Sequence, residues 1–75
     1  MSGLTITGVI EKQNFGSGVW ALVTENGKTY ELKDIPPEIR LTQLKVKIEG
    51  QIRDDIMSLA MIGPILEVQS FEVLQ

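Results

Sequence analysis

Hydrophobic and polar residues alternate along most of this chain, and the alternation predicts strands. In residues 4–13, Leu4, Ile6, Gly8 and Ile10 fall on one face and Thr5, Thr7, Val9 and Glu11 on the other. A period of two marks a half-buried strand. Gly8, on the inner face, predicts a bend in a long strand. Residues 13–18 read as a loop. Residues 19–25 form a second strand with Trp20 and Leu22 inward, and residues 28–33 return with Tyr30 and Leu32 inward. Asn26-Gly27 between them tolerates the positive φ of a tight hairpin. Pro36-Pro37 ends the sheet, because proline has no N–H to donate. Proline also suits a first helical turn, so residues 37–44 are expected to form a short helix or a turn or two, with Ile35, Ile39 and Leu44 closing one end of the core. Residues 45–53 alternate most cleanly, with Val46, Ile48, Gly50 and Ile52 inward. Asp54-Asp55 is read as a turn, and residues 56–62 as a short apolar strand ending at Gly63-Pro64. Residues 65–74 are the last strand. Leu66 and Val68 share a phase that Phe71 and Val73 break, which predicts a β-bulge at Gln69-Ser70.

The order is thus three strands, a short helix, a fourth strand and a divided last hairpin. This predicts an all-β protein, a small five-stranded (or split six-stranded) Greek-key barrel of OB-fold type with one short helix between strands 3 and 4. The 75 residues are expected to form a single domain, 1–75. An SH3-like barrel fits less well, since the long bent first strand and the helix after Pro36-Pro37 favour the OB order.

Particular residues add a resemblance. Gly18-Val19-Trp20-Ala21-Leu22, then Gly27 and Tyr30, Pro36-Pro37-Glu38, Val46, and Ser58 with Met61 and Gly63 resemble a group of small stand-alone bacterial OB-fold domains of unknown function. The resemblance spans residues 8–68. Ile62 departs from it, standing where that group often carries tryptophan. The shared positions are mainly structural, so the resemblance implies a fold and brings no catalytic residues.

Composition narrows the chemistry. There is no histidine and no cysteine. That excludes imidazole bases, thiolate nucleophiles, disulfides, and metal sites built on sulfur or imidazole. The remaining acids and bases have no recognisable catalytic spacing, so the chain is expected not to be an enzyme and to need no cofactor or metal. Asp54-Asp55 reads as a solvated turn because no alternating acidic loop surrounds it. Gly16-Ser17-Gly18-Val19-Trp20-Ala21 matches a dinucleotide fingerprint in letters only. That fingerprint needs a helix N-terminus for the pyrophosphate, and a β-rich run follows here. The longest uncharged stretches, residues 13–24 and 56–66, are too short to span a bilayer. A cytoplasmic location with no membrane partner is expected.

Two binding surfaces remain as candidates. The net charge of −3 and pI of about 4.7 argue against a dedicated nucleic-acid binder. Even so, Lys45, Lys47 and Arg53 share the outer face of the fourth strand, and Phe15 sits in a glycine-rich loop where a ring could stack on a base. The expected exposed face of strands 2 and 3 (Val19, Ala21, Val23, Thr29, Glu31 and Lys33) has no aromatic residue. Residues 56–66 hold eleven positions without a charge, more than one side of a small barrel can hide. Met57, Leu59, Met61 and Ile62 are therefore candidates for an apolar protein interface, with a homodimer as the commonest form. The leading expectation is a non-catalytic binding module acting on protein partners or on itself; the alternative is a single-stranded oligonucleotide binder.

Overall fold

The computed structural model describes residues 3–13, 19–56 and 62–74. Five strands appear in these segments: β1 (Gly3–Gln13), β2 (Val19–Val23), β3 (Thr29–Lys33), β4 (Lys45–Arg53) and β5 (Ile65–Val73). They close into a ring in the order β1-β2-β3-β5-β4. Every neighbouring pair is antiparallel except β3 and β5. β1, β2 and β3 form a meander and β4 returns beside β1, which is a Greek-key order. β5 then fills the gap between β3 and β4.

β1 is long enough to serve two neighbours. Its first half pairs with β4, from Gly3 opposite Gln51 to Val9 opposite Lys45, and its second half pairs with β2, from Val9 opposite Val23 to Gln13 opposite Val19. Gly8 stands at the crossover, where an added Cβ would lie 2.6 Å from the carbonyl oxygen of Val23. The bend read from Gly8 is a place where two backbones nearly touch.

The inward positions meet in one core. Ile10, Leu22, Ile39, Val46, Ile48 and Leu66 are fully buried, with Tyr30, Leu32, Ile35 and Val68 beside them. Trp20, Leu44, Ile52, Ile6 and Phe71 pack partly buried against this cluster. The predicted phase slip in β5 is present. Glu49 faces Ser70 while Gly50 faces Val68, so Gln69 has no partner across the ladder and the inward set moves from Leu66 and Val68 to Phe71.

Two local expectations need correction. The short helix between strands 3 and 4 reduces to one 3-10 turn, Pro37–Ile39. The chain leaves helical geometry at Arg40, whose guanidinium donates to the carbonyl of Ile35. It then turns through Gln43, at φ 67°, whose N–H bonds the Ile10 carbonyl at 2.7 Å. Delivering β4 into register with β1 uses the residues that a longer helix would need. The sixth strand expected over residues 56–62 lies mostly outside the described residues; its two ends, Ile56 and Ile62, sit in bends.

The hairpin between β2 and β3 turns at Asn26-Gly27 but is wider than read: β2 ends at Val23, β3 begins at Thr29, and of the pair only Gly27 takes a positive φ. Gly27 adopts φ 87°, Gly27 N–H bonds the Thr24 carbonyl, and the Thr24 hydroxyl contacts the Asn26 side chain. No helix among the described residues is long and apolar enough to cross a membrane.

Candidate functional site

The cations of β4 occupy the outer face as read, but acidic neighbours have claimed two of them. Lys47 stands opposite Glu72 and pairs with it at 3.6 Å. Arg53 donates to both oxygens of Asp55 at 2.8 Å and to Glu67 at 3.0 Å. Lys45 is exposed and makes no ion pair among the described residues. Glu49 lies between them and accepts from the Ser70 hydroxyl. The outer face of β4 and β5 therefore alternates in sign, and a phosphate strand laid along it would meet carboxylates beside Lys47 and Arg53. Phe15, the proposed stacking ring, lies outside the described residues.

The Arg53 knot also accounts for the second of the paired aspartates. Asp55 is held at about 2, below the ordinary 3.8, chiefly by the hydrogen bond from Arg53 and then by its own backbone N–H. The same carboxylates raise the already high pKa of Arg53. Asp55 is thus a turn residue tied to β4, and among the described residues no group of three carboxylates gathers as a metal site would require. Its folded pKa lies below its unfolded value, so the ionised form favours folding. That contribution is complete above about 3.8 and fades as pH falls towards 2. A carbon-detected titration should place the Asp55 midpoint near 2, and Arg53→Met should return it towards 3.8. A wild-type midpoint already at 3.8 would mean that the pair does not form in solution.

The face of β2 and β3 is less open than its sequence implied. Ala21, read as outward, is completely buried between Glu11 on β1 and Glu31 on β3, its partners in the ladder. Val19, Val23, Thr29, Glu31 and Lys33 are half-buried, and none is aromatic. The rings are elsewhere. Tyr30 is in the core with the ammonium of Lys28 5.2 Å from its centre. Trp20 is half-buried at the end of the β1–β2 ladder, with its cross-strand partner Lys12 5.7 Å from its ring. The inward phase of Trp20 and Tyr30 thus follows the Leu22 and Leu32 phase that predicted it.

Of the apolar interface candidates, Met57, Leu59 and Met61 lie outside the described residues. Ile62 is half-buried at a bend. Next to it, Gly63 passes so close to Thr29 that a Cβ would run into the Thr29 carbonyl oxygen. Sequence reading missed a second apolar group. Leu41, Val73 and Leu74 are 57%, 44% and 41% exposed. Their placement follows from the fold: Val73 stands opposite Val46, Leu74 N–H bonds the Lys45 carbonyl, and Leu41 lies in the loop feeding β4. Periodicity alone cannot flag them, because Val73 keeps the inward phase and is exposed only by its position at the strand end.

Hollows flank the bend of β1. One of about 330 Å³ is lined by Val9, Val23 and Thr24 with Glu11, Gln43 and Lys45. It adjoins another of about 430 Å³ between Thr7 and the hairpin residues Thr24, Glu25 and Asn26. The first is crossed by a Gln43 to Glu11 hydrogen bond of 3.0 Å. The first hollow sets the carboxylates of Glu11 and Glu25 and the ammonium of Lys45 on its walls, with Glu11 accepting from Gln43. Comparison with known protein families, with curated proteins and with solved structures finds no match to this chain.

Proposed function

We propose that this chain is a non-catalytic binding module on an OB-type barrel, acting in the cytoplasm through protein contact or self-association. The strand order supports the OB reading: a three-strand meander, a fourth strand returning beside a long bent first strand, and a fifth completing the ring. One observation carries the functional reading. The outer-face cations Lys47 and Arg53 are matched by carboxylates, while Leu41, Val73 and Leu74 are left in solvent. A surface arranged in this way loses little by meeting a neutral partner and gains by burying apolar area. The segment around Met57, Leu59, Met61 and Ile62 belongs to the same proposal. The oligonucleotide alternative retains one favourable feature, the cation of Lys12 beside the half-buried ring of Trp20.

Two measurements on the full chain separate the readings. Light scattering across a wide range of concentration should show mass above the 8.3 kDa of one chain. An amide-shift titration with mixed single-stranded oligonucleotides at low salt should leave Lys45, Lys47 and Arg53 unmoved. A constant monomer mass, with shifts at those cations that vanish on adding salt, would replace this reading by the oligonucleotide one, because phosphate neutralisation is salt-sensitive.

A further inference from the structure

We propose that β1 pairs antiparallel with β1 of a second copy along residues 3–7, with Thr5 on the twofold axis. This rests on the protein-binding reading above and names its partner.

The direction of the backbone groups follows from two hydrogen bonds. Ile10 N–H donates to the Leu44 carbonyl, and the Ile10 carbonyl accepts from Gln43 N–H. Ile10 therefore turns its polar groups towards the β4 side. Backbone groups alternate sides along an antiparallel strand, so Gly8, Ile6 and Leu4 also face β4. Gly3, Thr5 and Thr7 direct their N–H and C=O groups the other way. On that side β2 joins the ladder only at Val9. Among the described residues, no strand pairs with this edge of residues 3–7.

This edge lacks the usual guards. Natural sheets protect open edges with charges, proline or bulges. Residues 3–10 contain no charge and no proline, and three of the eight are valine or isoleucine. The second half of β5, also without a strand partner on its β3 side among the described residues, is guarded twice. Gln69 bulges out of its ladder and Glu72 lies along it. The contrast singles out β1 as the edge meant to be covered.

The segment is also self-complementary. With Thr5 opposite its own copy, Gly3 faces Thr7 and Leu4 faces Ile6. Thr5 and the two Gly3–Thr7 positions become hydrogen-bonded pairs. Leu4 and Ile6, half-buried on the inner face, cover each other across the axis. The glycine arrives opposite Thr7, beside the hollow that separates Thr7 from the hairpin tip. The least bulky residue thus lies on the side of the edge that the hairpin tip approaches. A twofold dimer needs only one such surface, used twice.

Thr5→Pro removes an N–H that β4 does not use, so the barrel should keep its circular dichroism, with a melting temperature that no longer rises with concentration, while its mass falls to the 8.3 kDa monomer. Thr5→Lys sets two ammonium groups face to face on the axis and should give the same mass, should proline disturb the strand. The chain has no cysteine, so a nitroxide on Thr5→Cys reports on this position alone. Its spectrum should be dipolar-broadened, and a label on Glu38→Cys should not be. A dimer that survives Thr5→Pro and Thr5→Lys without broadening at Thr5 overturns the β1 pairing and leaves self-association through another surface. A wild-type chain that is monomeric at every concentration overturns the pairing and self-association together, leaving a different protein as the partner in the broader reading.

Discussion

Ile48→Ala should cost about 2–5 kcal/mol of stability, among the largest losses available to any single side chain here. Ile48 is fully buried in β4, with Ile6 opposite it on β1 and Phe71 opposite it on β5. Both neighbours are held by backbone ladders, so the walls of the resulting cavity have little freedom to collapse. A domain of this size has about 4–11 kcal/mol in total, at roughly 0.05–0.15 kcal/mol per residue. The substitution should therefore lower the urea midpoint by a large fraction with an unchanged slope. Leu41→Ala, at a side chain more than half exposed, should stay within about 0.5 kcal/mol. A loss below about 1 kcal/mol at Ile48 would contradict its place at the centre of the core, since even Ile→Val in a core commonly costs that much.

Gly50→Ala should also destabilise the fold, by less than Ile48→Ala, for a reason that no side-chain count reveals. A Cβ at Gly50 would enter the carbonyl oxygen of Glu67 and approach Leu66 Cδ1 to 3.3 Å. The oxygen belongs to the backbone of β5, directly beside the register step between Glu49 and Gly50. Relief requires β4 and β5 to separate where the bulge already removes one ladder position. Forced overpacking of this sort costs about 1–3 kcal/mol. The gain from a less flexible unfolded chain offsets only about 0.4–1 kcal/mol. The melting temperature should fall clearly, and amide shifts should spread along Gly50, Leu66, Glu67 and Val68. An alanine variant that melts like the wild type would show that these two backbones do not approach so closely.

These outcomes bear on function through the same geometry. The bulge that makes Gly50 sensitive also guards the β5 edge. The close approach at Gly8 hands β1 from β4 to β2, which leaves one side of the backbone of residues 3–7 without a strand partner among the described residues. Stability in the ring and availability of the β1 edge are two consequences of one long bent strand.

Much of this was determined locally and is legible in the sequence. The period-two pattern placed β4 at its observed bounds and β1 within one residue, because a strand half-exposed to water must alternate. The phase slip between Val68 and Phe71 located the bulge, since inward residues cannot skip a place without one. Asn26-Gly27 marked the hairpin through its tolerance of positive φ. The inward turn of Trp20 and Tyr30 followed from their sharing a phase with Leu22 and Leu32. Other features depend on which segments meet, and the tertiary structure alone decided them. The helix after Pro36-Pro37 stops at one turn because Gln43 must reach the carbonyl of Ile10. The basic stripe of β4 loses Lys47 and Arg53 to Glu72, Glu67 and Asp55, and the first two of these acids come from a strand about twenty residues further on. Ala21 is buried on a face that alternation calls outward, and Val73 is exposed on a face that it calls inward. Alternation tells which side of a strand a residue occupies. Whether that side is covered, and whether a strand's edge is paired, is decided by its neighbours in the ring.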